Sequence, residues 1–305
     1  MRNFTIQAVM GLLLYIFAFY CFALEPEPRK WNHLPMNVNF SGVTYVYSEA
    51  DIFTDPALKL ENVELVEHIW LAKYIRTFEV FNKSARIDIT QGYIEAEWQG
   101  LLDGTPAKAK RSGLSDSFVT ISVNLYGAPP LEGKAYRAYR VAAENETIVG
   151  VALKVRLPTG EYMDDKLLNL GGNRFVFKPQ VGMVHNWGQW TVEATGEVAY
   201  YMDNNEFFDG NKLEQRPLYF VHGHLMYTVR SGLWVGVSTG YDYGGSTRIN
   251  GQDKIDKKEN VGWVLSATYP ISPTMGAKLG YIDTRTKAST GLDSQSLTAT
   301  LSYLW

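Results

Sequence analysis

The last nine residues, Leu297-Thr298-Ala299-Thr300-Leu301-Ser302-Tyr303-Leu304-Trp305, alternate apolar with mostly small polar side chains and end on an aromatic. Successive side chains on a strand point to opposite faces. Leu297, Ala299, Leu301, Tyr303 and Trp305 therefore form one apolar surface, and Thr298, Thr300 and Ser302 a hydroxylated one. Such a strand needs an apolar medium on one side and water on the other. A soluble sandwich could supply both, but a free carboxylate ending a buried core strand is costly. A Trp at a membrane interface buries its ring and keeps its polar edge wet. The terminus thus points to a strand that crosses a membrane.

The other end of the chain fits export. Arg2 precedes an apolar run from Ala8 to Phe22 broken only by Gly11, the layout of a secretory signal peptide over 1–23. Ala23 is a suitable small residue at the cleavage point, and Glu25-Pro26-Glu27-Pro28 cannot continue a helix. A retained anchor is the alternative reading, although the run is short for a spanning helix. Cys21 is the only cysteine, so loss of the leader leaves no thiol and excludes disulfides and thiolate chemistry. An exported chain of this size without disulfides needs another source of cohesion, and a closed barrel provides one. The net charge of -3 becomes one unit more negative without Arg2. With no basic stripe available to displace counterions, nucleic acid is not expected as a partner.

Period-two segments between turn signals mark about 12 strands, near 39–50, 62–81, 85–98, 117–127, 146–157, 172–187, 189–203, 214–230, 232–247, 258–270, 274–286 and 294–305. An even number suits a bacterial single-chain barrel. The segment 62–81 mixes charge and apolar residues on both faces and is longer than a bilayer requires, so part of it is expected to project beyond the membrane. Connection lengths alternate as well. Asn82-Lys83-Ser84, Gly188, Ser231 and Ile271-Ser272-Pro273 are tight turns, whereas Gln99 to Asp116 and Arg248 to Lys257 are longer and polar. Outer-membrane barrels segregate short periplasmic turns from long external loops in this way, which places both termini on the periplasmic side. One connection departs from the pattern. After Ala128-Pro129-Pro130, residues Leu131, Ala135, Tyr139 and Ala142 recur at helical spacing, predicting a short amphipathic helix over Leu131 to Ala143 that serves as a periplasmic lid or a lumen plug.

The faces opposite the apolar stripes carry Lys154, Arg156, Arg174, Lys178, Glu193, Glu197, His222, His224 and Arg230, with Tyr126, Tyr201 and Trp234 as aromatic neighbours. These charges either neutralise one another and fill the interior or line a polar conduit that selects a solute. His222-Gly223-His224 puts two imidazoles on one face, but spacing supplies no third ligand. Hydrogen bonds to Glu193 or Glu197 on the neighbouring strand are the simpler expectation. Gly127 to Lys134 departs from a phosphate loop by an extra residue and by Ala135 in place of Ser or Thr. No nucleophile elbow is present. Neither a cofactor nor a metal is expected.

At Leu157-Pro158-Thr159-Gly160-Glu161-Tyr162, at Lys166-Leu167-Leu168-Asn169-Leu170-Gly171-Gly172-Asn173-Arg174 and at Phe177-Lys178-Pro179-Gln180-Val181-Gly182, the chain resembles the outer-membrane transporters of the meta-pathway phenol degradation family. Tyr74-Ile75-Arg76-Thr77-Phe78 and Ser84-Ala85-Arg86 are similar to it too, while the stretch after Glu206 matches only in strand rhythm. Asn173-Arg174-Phe175 and Asn82 depart from its pattern. The resemblance implies an outer-membrane barrel that helps small, fairly apolar or aromatic compounds enter a Gram-negative cell.

The combined expectation is an all-β, transmembrane antiparallel barrel of about 12 strands over 39–305 in the Gram-negative outer membrane. A periplasmic segment over 24–38 precedes it, and one short helix lies in a periplasmic connection. A passive channel for small organic solutes is the leading reading and does no covalent chemistry. A lipid-modifying enzyme or a receptor barrel with a filled lumen are the alternatives. Expected partners are outer-membrane lipids, the solute, and the barrel assembly machinery, engaged through the strand ending in Trp305.

Overall fold

In the computed structural model, residues 27–54 and 60–305 are described. The leader expected at 1–23, with the three residues after it, lies outside them. Seventeen strands and one helix follow in order among the described residues: β1 (Asn39–Phe53), β2 (Leu60–Val80), β3 (Lys83–Leu102), β4 (Thr105–Leu114), β5 (Ser117–Tyr126), α1 (Gly133–Ala142), β6 (Asn145–Leu157), β7 (Val176–Trp187), β8 (Trp190–Tyr201), β9 (Asn204–Phe207), β10 (Asn211–Gln215), β11 (Leu218–Arg230), β12 (Leu233–Gly244), β13 (Thr247–Ile249), β14 (Gln252–Asp253), β15 (Lys258–Pro270), β16 (Met275–Thr286) and β17 (Gly291–Leu304). Twelve of them, all but β4, β9, β10, β13 and β14, form a closed antiparallel barrel, because β2 pairs with β3 and the last strand β17 pairs with the first. Closure runs from Phe40 opposite Leu304 to Phe53 opposite Gly291. At its base Asn39 and Trp305 exchange backbone hydrogen bonds of 2.8 and 2.9 Å.

The terminal strand has the two faces its alternation demands. Leu297, Leu301, Tyr303 and Trp305 are exposed on the outside, while Thr298, Thr300 and Ser302 line the interior. Ile121, Leu153, Trp263 and Leu265 are exposed in the same way, and their inward neighbours Thr120, Ser122, Ala152 and Ser266 are buried. An outer wall of this kind is stable only in hydrocarbon. Exposed Trp187, Trp190, Tyr269, Tyr303 and Trp305 cluster towards the end that carries the termini, and Trp70, Tyr200, Tyr219 and Tyr243 towards the other. These are the two aromatic girdles of a membrane barrel. Trp98 is not among them: it points inward and packs on the interior cluster around Ile94.

Tight turns occupy the end that carries the termini, as their composition predicts. Phe81 and Asn82 both have positive φ, 46° and 58°, the geometry that matches a two-residue turn to the twist of its strands. At the opposite end the polar stretch expected as a loop at 99–116 is instead a hairpin. β3 continues to Leu102 and returns as β4 through Asp103 and Gly104, again both left-handed at 51° and 75°. β2 and β3 run 21 and 20 residues, about twice the ~9–11 that a tilted strand needs to cross, so they project beyond the bilayer. Two strands start later than their sequence pattern suggests. β7 begins at Val176, after the left-handed Asn173, and β11 begins at Leu218, because Pro217 has no N–H to offer a ladder. Residues before Pro217 form β10 of a small outer sheet ordered β14-β13-β10-β9.

The predicted helix is present as α1, with no buried residue. It borders the barrel mouth and does not line the interior cavity. No helix among the described residues is long and apolar enough to cross a membrane.

Candidate transport lumen

Before β1, the chain from Glu27 to Val38 lies inside the mouth at the terminal end and touches the wall at β2, β3, β6, β7, β8, β11 and β12. Glu27 is paired with Lys73 of β2 and lies 3.6 Å from Arg86 of β3. Arg29 donates to Thr228 of β11 at 2.5 Å and lies over the Trp234 ring of β12. The Lys30 N–H donates to Glu193 of β8 at 3.2 Å, and its ammonium binds Gln180 of β7. Trp31 Nε1 donates to Thr195 at 2.8 Å. His33 contacts the Pro129 carbonyl at 2.7 Å and Glu146 at 3.4 Å, and Tyr136 of α1 donates to the His33 carbonyl at 3.0 Å. Met36 N–H donates to Leu131 O, and Asn37 N–H to Thr77 O. The helix thus acts on the segment and not on the cavity.

Trp31, 1 % exposed, owes its seat to two glycines in register, Gly150 on β6 and Gly182 on β7. A Cβ at Gly150 would stand 2.6 Å from the indole, and one at Gly182 would overlap it. Beside the segment lies a crevice of about 20 Å³, room for about one water.

Above the segment the barrel encloses a cavity of about 410 Å³. Phe40, Leu71, Ile75, Phe118, Phe220 and Ile282 give it apolar surface, and Ser41, Thr44, Thr298, Thr300 and Ser302 give it hydroxyls. Of the charged residues anticipated from the sequence, Lys154, Lys178, Glu197, His222 and His224 line this cavity. Lys178 pairs with Glu197 at 3.2 Å, and the Lys154 ammonium lies 4.4 Å from the centre of the Phe118 ring. Glu193 is buried beneath the N-terminal segment. Arg156 and Arg174 belong to the outer closure described below. Arg230 differs: a register shift near the end of β11 leaves it exposed at the turn, away from the cavity. His224 faces Glu193 across the ladder but bonds to Ser238 at 2.7 Å. Tyr126 is exposed on the outside, Tyr201 stacks beneath Arg174 and Trp234 beneath Arg29. Among the described residues no group of three His, Cys, Asp or Glu could hold a metal ion.

Four interior residues did not emerge from the sequence reading. Lys73, Arg86 and Asp88 join Glu27 in one network, with Arg86 2.9 Å and Lys73 3.7 Å from Asp88. Lys278 lines the cavity from β16. Their signal was available, since Asp88 stands between Ile87 and Ile89 and Lys278 between Ala277 and Leu279, charges on the inward phase of an alternating strand.

At the outer end, the wall between β4 and β5 breaks at Ser115-Asp116, and the connection 158–175 is fastened there. Asp116 accepts the N–H groups of Gly160 at 2.9 Å and Gly172 at 2.8 Å and pairs with Arg156 at 3.0 Å. Glu161 N–H donates to Leu114 O at 2.8 Å. Gly160 and Gly171 touch so closely that a Cβ on either would meet the other's backbone within 2.8 Å. The family-like motif at 157–174 is therefore a clasp, and Asp116 is its centre. Leu170 packs on the apolar interior cluster of Val63, Leu65, Ile69 and Ile94, and Leu167 joins Phe207, Leu213 and Ile249 of the outer sheet. Tyr162 donates to Glu206 O at 3.0 Å, and burial raises its hydroxyl pKa above the ordinary value. Arg174 is bound to Gln215.

No curated protein matches the chain significantly. Among solved structures, the COG4313 outer membrane channel from Pseudomonas putida F1 superposes with a TM-score of 0.75 at 19% identity, covering 92% of this chain and 100% of that one. The transport unit of the autotransporter AIDA-I from Escherichia coli gives 0.51 at 9% identity, covering 99% and 97%. Both likenesses are of fold, that of an outer-membrane β-barrel. Residues 70–301 match the family model described as "Putative MetA-pathway of phenol degradation", which spans most of the barrel, and the chain belongs to that family.

Proposed function

We propose that this barrel is a passive outer-membrane channel for small organic solutes, aromatic or otherwise fairly apolar, and that it does no covalent chemistry. The observation that carries this reading is the interior cavity of about 410 Å³. An apolar cavity of ~150 Å³ already accepts a benzene-sized ring, so a one-ring solute fits with room for water. Its mixed wall suits such a molecule, with Phe118, Phe220 and Leu71 for the ring and the hydroxyls of β1 and β17 for a polar substituent. Family membership agrees with this choice of solute. Assembly would proceed through the barrel assembly machinery, with the strand that ends in Trp305 as the recognised element.

The filled mouth at the terminal end favours a second reading, a receptor-like barrel that binds a solute without passing it. Uptake of radiolabelled benzyl alcohol by porin-depleted Gram-negative cells separates the two, since the lipopolysaccharide leaflet resists apolar solutes far better than phospholipid vesicles do. Channel function gives a several-fold faster initial uptake in cells carrying the protein. An unchanged rate rules it out.

A further inference from the structure

The cavity wall holds more positive charge than its own carboxylates can neutralise. Five lysines line it: Lys30, Lys73, Lys154, Lys178 and Lys278. Among the described residues three carboxylates do, Glu27, Asp88 and Glu197, and each is already engaged. Glu27 and Asp88 share Lys73 and Arg86, and Glu197 takes Lys178 and Gln180. Lys278 makes no hydrogen bond or ion pair among the described residues. Its strand, β16, stands six strands from β6 in a ring of twelve, so Lys278 faces Lys154 across the lumen. Two of these ammonium groups lie close to aromatic rings, Lys154 to Phe118 at 4.4 Å and Lys178 to Phe220 at 5.0 Å.

We infer that the cavity is a binding site for an arene bearing one anionic group, a carboxylate in the simplest case. The ring lies against Phe118 and Phe220, and the anion is held by Lys278. The physical reason is the cost of an uncompensated charge inside a protein: an ammonium facing a confined lumen gains from a mobile counter-ion, and a flat ring fills the apolar remainder. A charge-assisted hydrogen bond stabilises more than a neutral one. The inference rests on the channel reading for its biological meaning, but its test is independent of flux.

The full chain in detergent is titrated calorimetrically with sodium benzoate and, separately, with benzyl alcohol, its neutral near-isostere, at constant ionic strength. Benzoate is expected to bind about tenfold more tightly. Lys278→Gln abolishes that preference while leaving benzyl alcohol binding in place, and Lys278→Arg retains it, which distinguishes lost charge from lost fold. Equal binding of the two ligands by the unaltered protein, or a preference that survives in Lys278→Gln, overturns the inference. A protein that prefers benzoate yet fails the cell uptake assay loses its channel role and keeps its site.

Discussion

The indole of Trp31 is hydrogen-bonded to Thr195, a residue 164 positions away, and this contact helps fix the N-terminal segment across the barrel mouth. Replacing Trp31 by Ala removes a fully buried ring, a change that typically costs about 3–5 kcal/mol. The barrel ladder itself is untouched. The expected result is a segment that leaves its seat and a higher single-channel conductance in planar bilayers. Unaltered conductance would show that the segment is not the barrier.

The same displacement is expected from the wall side. Gly182→Ala places a methyl group in the space of the indole, so its conductance should follow that of Trp31→Ala. Gly196→Ala is the control, because a Cβ there meets only Val181 at 3.8 Å, and its conductance should equal that of the unaltered protein.

Asp116 accounts for the outer clasp. Asp116→Ala leaves Arg156 without its buried carboxylate, a loss of about 3–5 kcal/mol, and frees the N–H groups of Gly160 and Gly172. Trypsin should then cut after Lys166 much faster, with the remaining strands still protected. Cleavage at the original rate would mean that other contacts hold the connection.

Lipid contact makes a quantitative prediction. Leu265→Arg puts a cation on the outer wall and should weaken folding into phospholipid vesicles by ~2–4 kcal/mol if the site is near the midplane. Ser266→Lys, the next residue on the same strand and directed into the lumen between Gly236 and Gly280, should cost far less. Equal tolerance of both changes would contradict a membrane-embedded wall.

Removal of Trp305 takes away the backbone pair with Asn39 and an interfacial ring. Less protein should reach the outer-membrane fraction of expressing cells, several-fold below the full chain. Full recovery would exclude Trp305 from recognition by the assembly machinery.

Strand positions were legible because period two is a local property imposed by two different solvents. Leu297 and Thr298 declare their faces with no knowledge of a partner strand. The turns at Asn82 and Gly188 were legible for a similar reason, since a left-handed backbone restricts residue type locally. Lys154, Lys178 and Glu197 could be placed inside by the same alternation, whereas Arg230 could not, because a shift in pairing at the strand end breaks the phase. The hairpin over 99–114 was obscured by the lysines and Glu97 that cover its exposed surface with ion pairs. They read as loop composition although the backbone remains paired.

What the sequence determined by itself is the wall: which residues meet lipid, which meet water, and at which end the chain turns sharply. Only the tertiary structure decided how the interior is filled. The seat of Trp31 is an absence of side chains at Gly150 and Gly182, and the hold of Asp116 is on two backbone N–H groups more than forty residues away. Neither leaves a periodic trace in the chain. Contacts of that kind exist only once closure of the barrel has brought distant strands to the same cavity.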